Sequence, residues 1–541
     1  MNGVASAQSR FGVAESRSAA GPHNPWLIAG VISIATFMEV LDSSIANVAL
    51  SHIAGALGAN ASESTWVLTS YLVASAVILP ASAWLSGVLG RKRFYLMCVA
   101  LFTVSSFLCG IAPNLESLIA FRVLQGLGGG GMAPVEQSML ADTFPPEKRS
   151  QAFALYGVAV IVAPTLGPTL GGYITDTWSW NWIFFINLPI GAIALVLVSW
   201  LVNEPEVLKR ERRERLKGGL RFDFLGFVLV ALWLGCLEFV LDKGQENDWF
   251  ASGTIRTFAT ISFVSMLLLF PWEFTRKDPI FNVRLIFQRQ FGGCFLAMLG
   301  VGAILYASTQ VMPTLVQSSF GYSATLAGMM LLPGGLAMAF LMPVSGLITK
   351  YVQPKFVIAA ALVVLALALW HTTNLVPDAS FRYFAWSRVY HMVAMPFLFI
   401  PITSASYVGI PPQSTEQAAS LINIARNTGG SMGISLYTTL LAQHEQLHQS
   451  RLVESIYPSS IQYQNTLNQL TEYFLQRGSS HLDAQQQAMA FIGQQVSRQA
   501  TLLSYVDTFA MLGALAIILM AIVLILLRSG AEEAQHGTTP H

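Results

Sequence analysis

Charge is the scarcest property of this sequence. Only 11% of its 541 residues are Asp, Glu, Lys or Arg, while 53% are hydrophobic; a soluble protein of this size carries roughly 25% charge. A water-soluble fold is thereby excluded. Cysteine is scarce as well: Cys98, Cys109, Cys236 and Cys294 all lie in apolar runs, and their spacing fits neither a disulfide framework nor a zinc site. The net charge is +1, so there is no bulk attraction to nucleic acid. No nucleotide-binding, metal or catalytic-triad motif is present, which argues against an enzyme and leaves an ion gradient, with no cofactor, as the energy source. The Ser/Ala/Gly-rich residues 1–25 lack the apolar segment of a cleavable signal and read as a disordered cytoplasmic tail.

What the chain has in abundance is apolar runs long enough to span. About 20 apolar residues cross a bilayer as a helix, and helices are the way such a chain satisfies its backbone in lipid. Fourteen spans are expected, at 26–50, 64–86, 94–112, 116–141, 150–173, 183–202, 223–242, 254–274, 290–312, 324–349, 355–373, 383–407, 416–441 and 504–528. The fold class is therefore an all-α membrane protein. Lys and Arg collect on the cytoplasmic side of membrane proteins. With the N-terminus inside, twenty-one basic residues fall in inside segments, seven of them in KRERRERLKGGLR at 209–221, against six outside and three within spans (Arg122, Arg388, Arg426). Both termini are thus expected in the cytoplasm.

A repeat runs through the chain. AWLSGVLGRKR from Ala83 is echoed by GLITKYVQPK from Gly346, the glycines around Gly167 by NTGGSMG around Gly430, and Arg122-Val-Leu-Gln by Arg388-Val-Tyr-His, at offsets of 263, 263 and 266. The expected organisation is a bundle of six helices at 26–202, a basic cytoplasmic loop at 203–222 and an inserted helix pair at 223–274. A second six-helix bundle follows at 275–528, then a cytoplasmic tail at 529–541. Two halves in the same orientation are a transporter design with the substrate site between them at the midplane. The polar, glutamine-rich outer loop at 442–503 is far longer than an ordinary connection. It reads either as a solvated cap or as a docking surface for a periplasmic partner, and it has helix-compatible stretches at 465–476 and 483–499.

The first span, WLIAGVISIATFMEVLDSSIANVAL, carries Glu39 and Asp42 in its interior. Charge near the bilayer centre is costly and marks function, and the i,i+3 spacing puts both acids on one face. Two acids in a poorly solvated place cannot easily both ionise, which makes a group that can take up and release a proton. Asn47 and Ser43 either supply hydrogen bonds or pack between helices. Arg122, with Gln125 beside it, must face protein or a cavity, where it could hold an ionised Asp42. Glu136 is a third buried acid. The glycines from Gly126 to Gly131 allow close helix approach. In VAPTLGPTLGGYITD, Pro164 and Pro168 bend the helix while Gly167, Gly171 and Gly172 admit a neighbour. Gly90, Arg91, Lys92 and Arg93 form either a positive anchor or a gate that pairs with acids at other helix ends. Asn47, Gln125 and Glu136 in the first half and Arg388 and Arg426 in the second are the candidates to line the substrate cavity, and His391 reads as a packing histidine.

Taken together, LDSSIANVAL, GVLGRKR, RVLQG and GPTLGGY resemble the first-helix, loop, fourth-helix and antiporter motifs of the major facilitator superfamily, in its fourteen-helix drug:proton antiporter branch. FMEVLDSSIANVA, TVSSFLCG, VIVAPTLGPTLGGYI, WIFFINLPIG and LDKGQENDWF are similar to the inner-membrane pumps of tripartite multidrug efflux systems. The resemblance covers residues 26–528. It implies two six-helix bundles with alternating access and export of hydrophobic compounds against proton entry across a bacterial inner membrane. It also implies a periplasmic membrane-fusion adaptor and an outer-membrane channel as partners. The chain departs from the branch pattern at Gly87, where the loop motif has an acid, at Ser51, where the first-helix motif ends in proline, and at Ala163, where glycine is common; Glu39 is an extra acid. The rival expectations are an exporter dedicated to one metabolite, such as a siderophore or fatty acid, and a scaffold or sensor built on a transporter frame.

Overall fold

The computed structural model describes residues 24–204, 209–210, 212–213, 222–276, 279–411, 414–454, 456–457 and 459–527. Most of the basic loop and of both tails therefore lies outside the described residues. Helices dominate: α1 Pro25–Leu57, α2 Trp66–Leu89, α3 Arg91–Gly110, α4 Leu115–Thr143, α5 Pro146–Thr177, α6 Asn187–Leu201, α7 Phe224–Lys243 and α8 Gly253–Thr275. They continue as α9 Arg289–Phe320, α10 Ala324–Tyr351, α11 Pro354–Thr372, α12 Phe381–Ala394, α13 Pro396–Ser406, α14 Thr415–Glu454, α15 Ile461–Gln476 and α16 His481–Leu526. Side-chain caps set several starts: Asn24 on α1, Asn114 on α4, Asp223 on α7 and Ser480 on α16 each accept from a backbone N–H of the first turn, which satisfies a donor the helix cannot. Gly58 ends α1 in the left-handed region, a conformation that costs glycine nothing.

Twelve of these helical segments among the described residues are long and apolar enough to cross a membrane. They coincide with twelve of the fourteen expected spans, and the chain is a multi-pass membrane protein. The other two expected spans, at 116–141 and 416–441, form α4 and α14. Composition alone does not pass them, because their polar side chains point at protein: Arg122, Gln125, Glu136 and Gln137 on α4, and Glu416, Asn423 and Arg426 on α14, are all buried. The expected span 383–407 is two helices that meet at Met395, where Pro396 starts the second.

Helix α1 packs along α5, α2 along α4, and α3 against α4 and α6. Beyond the inserted pair, α9 packs along α14, α10 against α12, and α16 against α9, α11 and α14. The two sets meet through α5 on α10 and α13, and through α2 and α4 on α14. The inserted pair leans on the rest through α7, which touches α2 and α14. Large apolar residues on outward faces, such as Trp200, Phe340 and Leu367, are exposed, as suits contact with lipid tails rather than water.

The glycine run in α4 explains the closeness of three helices. A Cβ on Gly126 or Gly130 would meet backbone of α2, and one on Gly128 would fall 2.8 Å from the Phe102 nitrogen of α3. Gly128→Val forces backbone apart, and overpacking of this kind costs about 1–3 kcal/mol. Thermal unfolding in detergent is expected to show that loss, whereas Gly493→Ala, inside α16 and facing open space, gains helix propensity and does not lower the midpoint.

The outer loop is largely helical. Helix α14 runs past the expected end at 441 to Glu454, α15 covers 461–476, and α16 begins at His481, well before the expected span start at 504. Helices α15 and α16 pack together.

Candidate functional site

The buried acid of α1 and the buried arginine of α4 meet. Arg122 Nη1 lies 2.6 Å from Asp42 Oδ2, and both side chains are almost wholly removed from solvent. The other carboxylate oxygen accepts from Gln125 Nε2 at 2.9 Å and from Asn187 Nδ2 at 2.6 Å. Ser106 accepts from both amides. Arg122 Nε donates to the Val67 carbonyl at 3.0 Å, Nη1 also donates to Gln125 Oε1 at 2.8 Å, and the Tyr71 ring lies 4.3 Å from the guanidinium carbon. Five helices, α1 to α4 and α6, contribute to the cluster. An ion pair taken out of water persists when further hydrogen bonds occupy its remaining lone pairs and protons; both Asp42 oxygens and Arg122 Nε and Nη1 are so occupied, while Arg122 Nη2 has no partner among the described residues. A proton on Asp42 would cancel the charge that attracts Arg122 and leave the amide contacts to hold the side chain.

Gln125, expected in the substrate cavity, is instead a fully buried partner of this pair. Sequence reading missed Asn187, which comes from an apolar run 145 residues beyond Asp42; an asparagine in such a run was the available signal. Losing the Asn187 contact to a carboxylate, as in Asn187→Leu, is expected to cost about 1.5–3 kcal/mol in unfolding experiments.

Glu39 shares the helix face but turns to a different partner. Its Oε1 accepts from Tyr71 Oη at 3.2 Å, so Tyr71 stands between the two acids of α1, stacked on Arg122 and bonded to Glu39. Across the boundary between the two helix sets, Arg426 of α14 is close enough to Glu39 to interact electrostatically. Its Nε donates to Asn427 Oδ1 at 3.3 Å, while its buried Nη1 has no hydrogen-bond partner among the described residues. Beside it Asn423 donates to Gln137 of α4 at 3.0 Å. Glu136 is satisfied within the first set, by Tyr95 at 2.9 Å and by Thr36. Asn47 is exposed and joins neither acid.

The second set repeats the arginine without the acid. Arg388 of α12 is buried and donates to Thr309 Oγ1 at 2.7 Å and to Ser308 Oγ at 3.4 Å on α9. Ser308 stands 266 residues after Asp42, as Arg388 stands 266 after Arg122. At this offset the residue that meets the arginine is thus a carboxylate in one half and a hydroxyl, with no titratable proton at any ordinary pH, in the other. His391 is a packing residue bonded to Thr372 at 2.9 Å.

Helix α5 lies between α1 and α10. Pro168 has no N–H to give the Pro164 carbonyl, and Ser44 Oγ of α1 donates to that carbonyl instead, at 3.2 Å. Gly167 and Gly171 admit Ser44 and Ile45 of α1, and Gly172 faces Thr325 of α10 at 3.5 Å from its would-be Cβ. The prolines leave α5 one continuous helix.

At the end of the bundle that carries residues 90–93, Gly90 turns the chain with φ 93°, a conformation other residues rarely adopt. Arg91 forms ion pairs with Asp142 at the end of α4 and, at 2.6 Å, with Glu416 at the start of α14. Ser86 Oγ donates to Glu416 Oε2 at 2.5 Å, and Ser420 Oγ donates to the Leu79 carbonyl at 2.9 Å. Glu204 accepts from the Arg91 backbone N–H at 3.1 Å and pairs with Arg212. No acid stands at Gly87, yet three carboxylates from elsewhere surround the turn. Lys92 donates to the Ser199 carbonyl at 2.7 Å and takes no part in the Arg91 pairing. No contact of the Arg93 side chain enters the cluster.

Residues 32–434 match the Major Facilitator Superfamily. The chain is 36% identical over 488 residues to the "Multidrug export protein EmrB" of Haemophilus influenzae, covering 89% of this chain and 92% of that one. It is 35% identical over 493 residues to the "Fatty acid resistance protein FarB" of Neisseria gonorrhoeae, covering 91% and 94%. The crystal structure of the human organic anion transporter TETRAN, 14% identical, superposes with a TM-score of 0.57 over 93% of this chain and all of that one, a likeness of fold. The helical architecture, the buried charged pair between α1 and α4 and these similarities agree: the chain belongs to the Major Facilitator Superfamily.

Proposed function

We propose that this protein exports hydrophobic drugs or other toxic amphiphiles across a bacterial inner membrane, in exchange for protons, by alternating access of the two six-helix sets. The observation that carries the reading is the buried Asp42–Arg122 pair with its amide cage. A charge this costly to bury persists where it works, and the second half, with Ser308 in the equivalent place, lacks it. Asp42 takes the proton, Arg122 competes with it, and Tyr71 passes the change on to Glu39 and the boundary with α14. Helix α5, with Pro164, Gly167, Pro168, Gly171 and Gly172, is the surface on which the halves rock. Arg91 and Glu416 latch the cytoplasmic end, with the termini on that side. The substrate lies between the halves near Glu39 and Arg426. The curated relatives named for multidrug export support the drug reading. Residues 442–503, helical and polar, are the surface offered to a periplasmic adaptor and, through it, to an outer-membrane channel.

Arg426 favours a second reading of the substrate. A buried guanidinium N–H without a partner suits an anionic headgroup, and FarB, 35% identical to this chain, is named for fatty acid resistance. Proteoliposomes with an imposed inward proton gradient separate the readings: a cationic or neutral dye moves under the drug reading, and a long-chain carboxylate alone moves under the other. Movement of neither overturns both.

A further inference from the structure

His444, His448 and Asp507 form a group of metal-ligand type outside the transport site. The two histidines sit one turn apart on the part of α14 that extends beyond its expected span, so both rings leave the same helix face. Asp507 faces them from α16, at the root of the 442–503 segment. His444 Nδ1 and His448 Nε2 each approach Asp507 Oδ2 at 2.7 Å. The three donor atoms lie within 4.8 Å of one another, and the residues are half-buried. No other such group occurs among the described residues.

We propose that these three residues bind a divalent transition-metal cation of the zinc class. Two imidazole nitrogens and one carboxylate oxygen are the donors that such cations select. Tetrahedral bonds of about 2 Å place donors about 3.3 Å apart; the two His–Asp separations are 2.7 Å and none exceeds 4.8 Å, so the site forms by small side-chain rotations. One coordination position stays open to water. Glu445, the nearest further acid on α14, is taken by Thr501 at 2.5 Å. The third donor is 59 residues beyond His448, which is why no metal motif is visible along the chain and why the sequence predicts none. A bound ion would join α14 to α16 where the outer helices leave the membrane, and would fix the direction in which those helices project.

The test uses the full chain in detergent, with any affinity tag removed and metal stripped by chelator, titrated with Co2+ as a spectroscopic probe and then with Zn2+ in competition. The expected result is one Co2+ per chain with the visible absorption of a tetrahedral site, displaced by Zn2+. Loss of a ligand weakens binding at least as much as loss of an outer partner, about 10–100-fold, so His448→Gln and Asp507→Asn should both do so, while His481→Gln, an exposed histidine on the same helix, should not. His448→Cys exchanges one ligand for another and keeps the metal with an added thiolate band, which covers the case in which a ligand-deleting variant does not fold. No tetrahedral Co2+ in the native chain, or binding unaltered by Asp507→Asn, overturns the proposal.

Discussion

Asp42→Asn is expected to abolish gradient-driven transport in proteoliposomes while leaving dye binding intact. The amide keeps the size of the side chain and can still meet Gln125 and Asn187, but it carries no proton to exchange. The variant also strands Arg122 as a buried cation without its counter-ion, and removing one member of a buried pair costs about 3–5 kcal/mol. That is a large part of the roughly 5–15 kcal/mol that holds a domain folded, so a loss of transport alone could mean a loss of fold. The double variant Asp42→Asn with Arg122→Gln separates the two causes. It buries no unpaired charge, so most of the unfolding midpoint returns, whereas transport stays at the level of empty liposomes. If Asp42→Asn instead transports as the native chain does, the proton is carried elsewhere, at Glu39 or Glu136, and Asp42 is structural. If the double variant regains transport along with stability, Asp42 was needed only to neutralise Arg122.

The helices were legible in the sequence because lipid allows few alternatives. A run of apolar residues of the right length has to be helical, and twelve such runs became helices, α16 alone beginning far outside its expected limit. The two that composition alone does not find, α4 and α14, are the ones that contact each other across the middle of the protein, where protein replaces lipid around Arg122 and Arg426. Their polarity and their position have the same cause. The outer helices were less legible. The helix-compatible stretches at 465–476 and 483–499 fall within α15 and α16, but their composition does not tell a separate outer helix from one continuous with a span, so α14 and α16 were expected shorter than they are.

The site divides in the same way. Asp42 and Arg122 could be picked out singly, since each is too costly to bury without a reason. Their companions could not. Asn187 and Tyr71 are polar residues of ordinary kinds in apolar surroundings, and only the folded chain brings them to the pair. Gln125 was read as cavity-lining because its neighbour along the helix was known and its partner across the helices was not. At the 90–93 turn the sequence offered an alternative between anchor and gate without naming a partner acid, and Glu416, which is 330 residues from Ser86, the hydroxyl it accepts from, is brought there only by the fold.

Glu416→Ala is expected to open the end of the protein at which Arg91 pairs with Glu416. The substitution removes two hydrogen bonds between α14 and the first set, from Arg91 and Ser86, but leaves Arg91 paired with Asp142, so no cation is stranded. Contacts to a charged group contribute about 1.5–3 kcal/mol each. A loss near 3 kcal/mol changes a closed-to-open ratio by about a hundredfold, enough to bring an end that is closed about 99% of the time close to even. The four native thiols are buried, so Ser82→Cys, at a fully buried position on α2 between these contacts and the interior, gives a single reporter. Its modification by a hydrophilic maleimide is expected to speed up at least about tenfold in Glu416→Ala. Asp142→Asn, which keeps the contact between the halves, should leave the rate unchanged. The comparison decides between latch and anchor: an anchor that only holds the turn at the membrane surface depends on Arg91 and its near neighbours, and would be indifferent to Glu416, whereas a latch depends on the one carboxylate that comes from the other half. Equal rates in Glu416→Ala and the native background would therefore reduce the 90–93 turn to an anchor and move the barrier deeper, to the Asn423–Gln137 contact at the midplane.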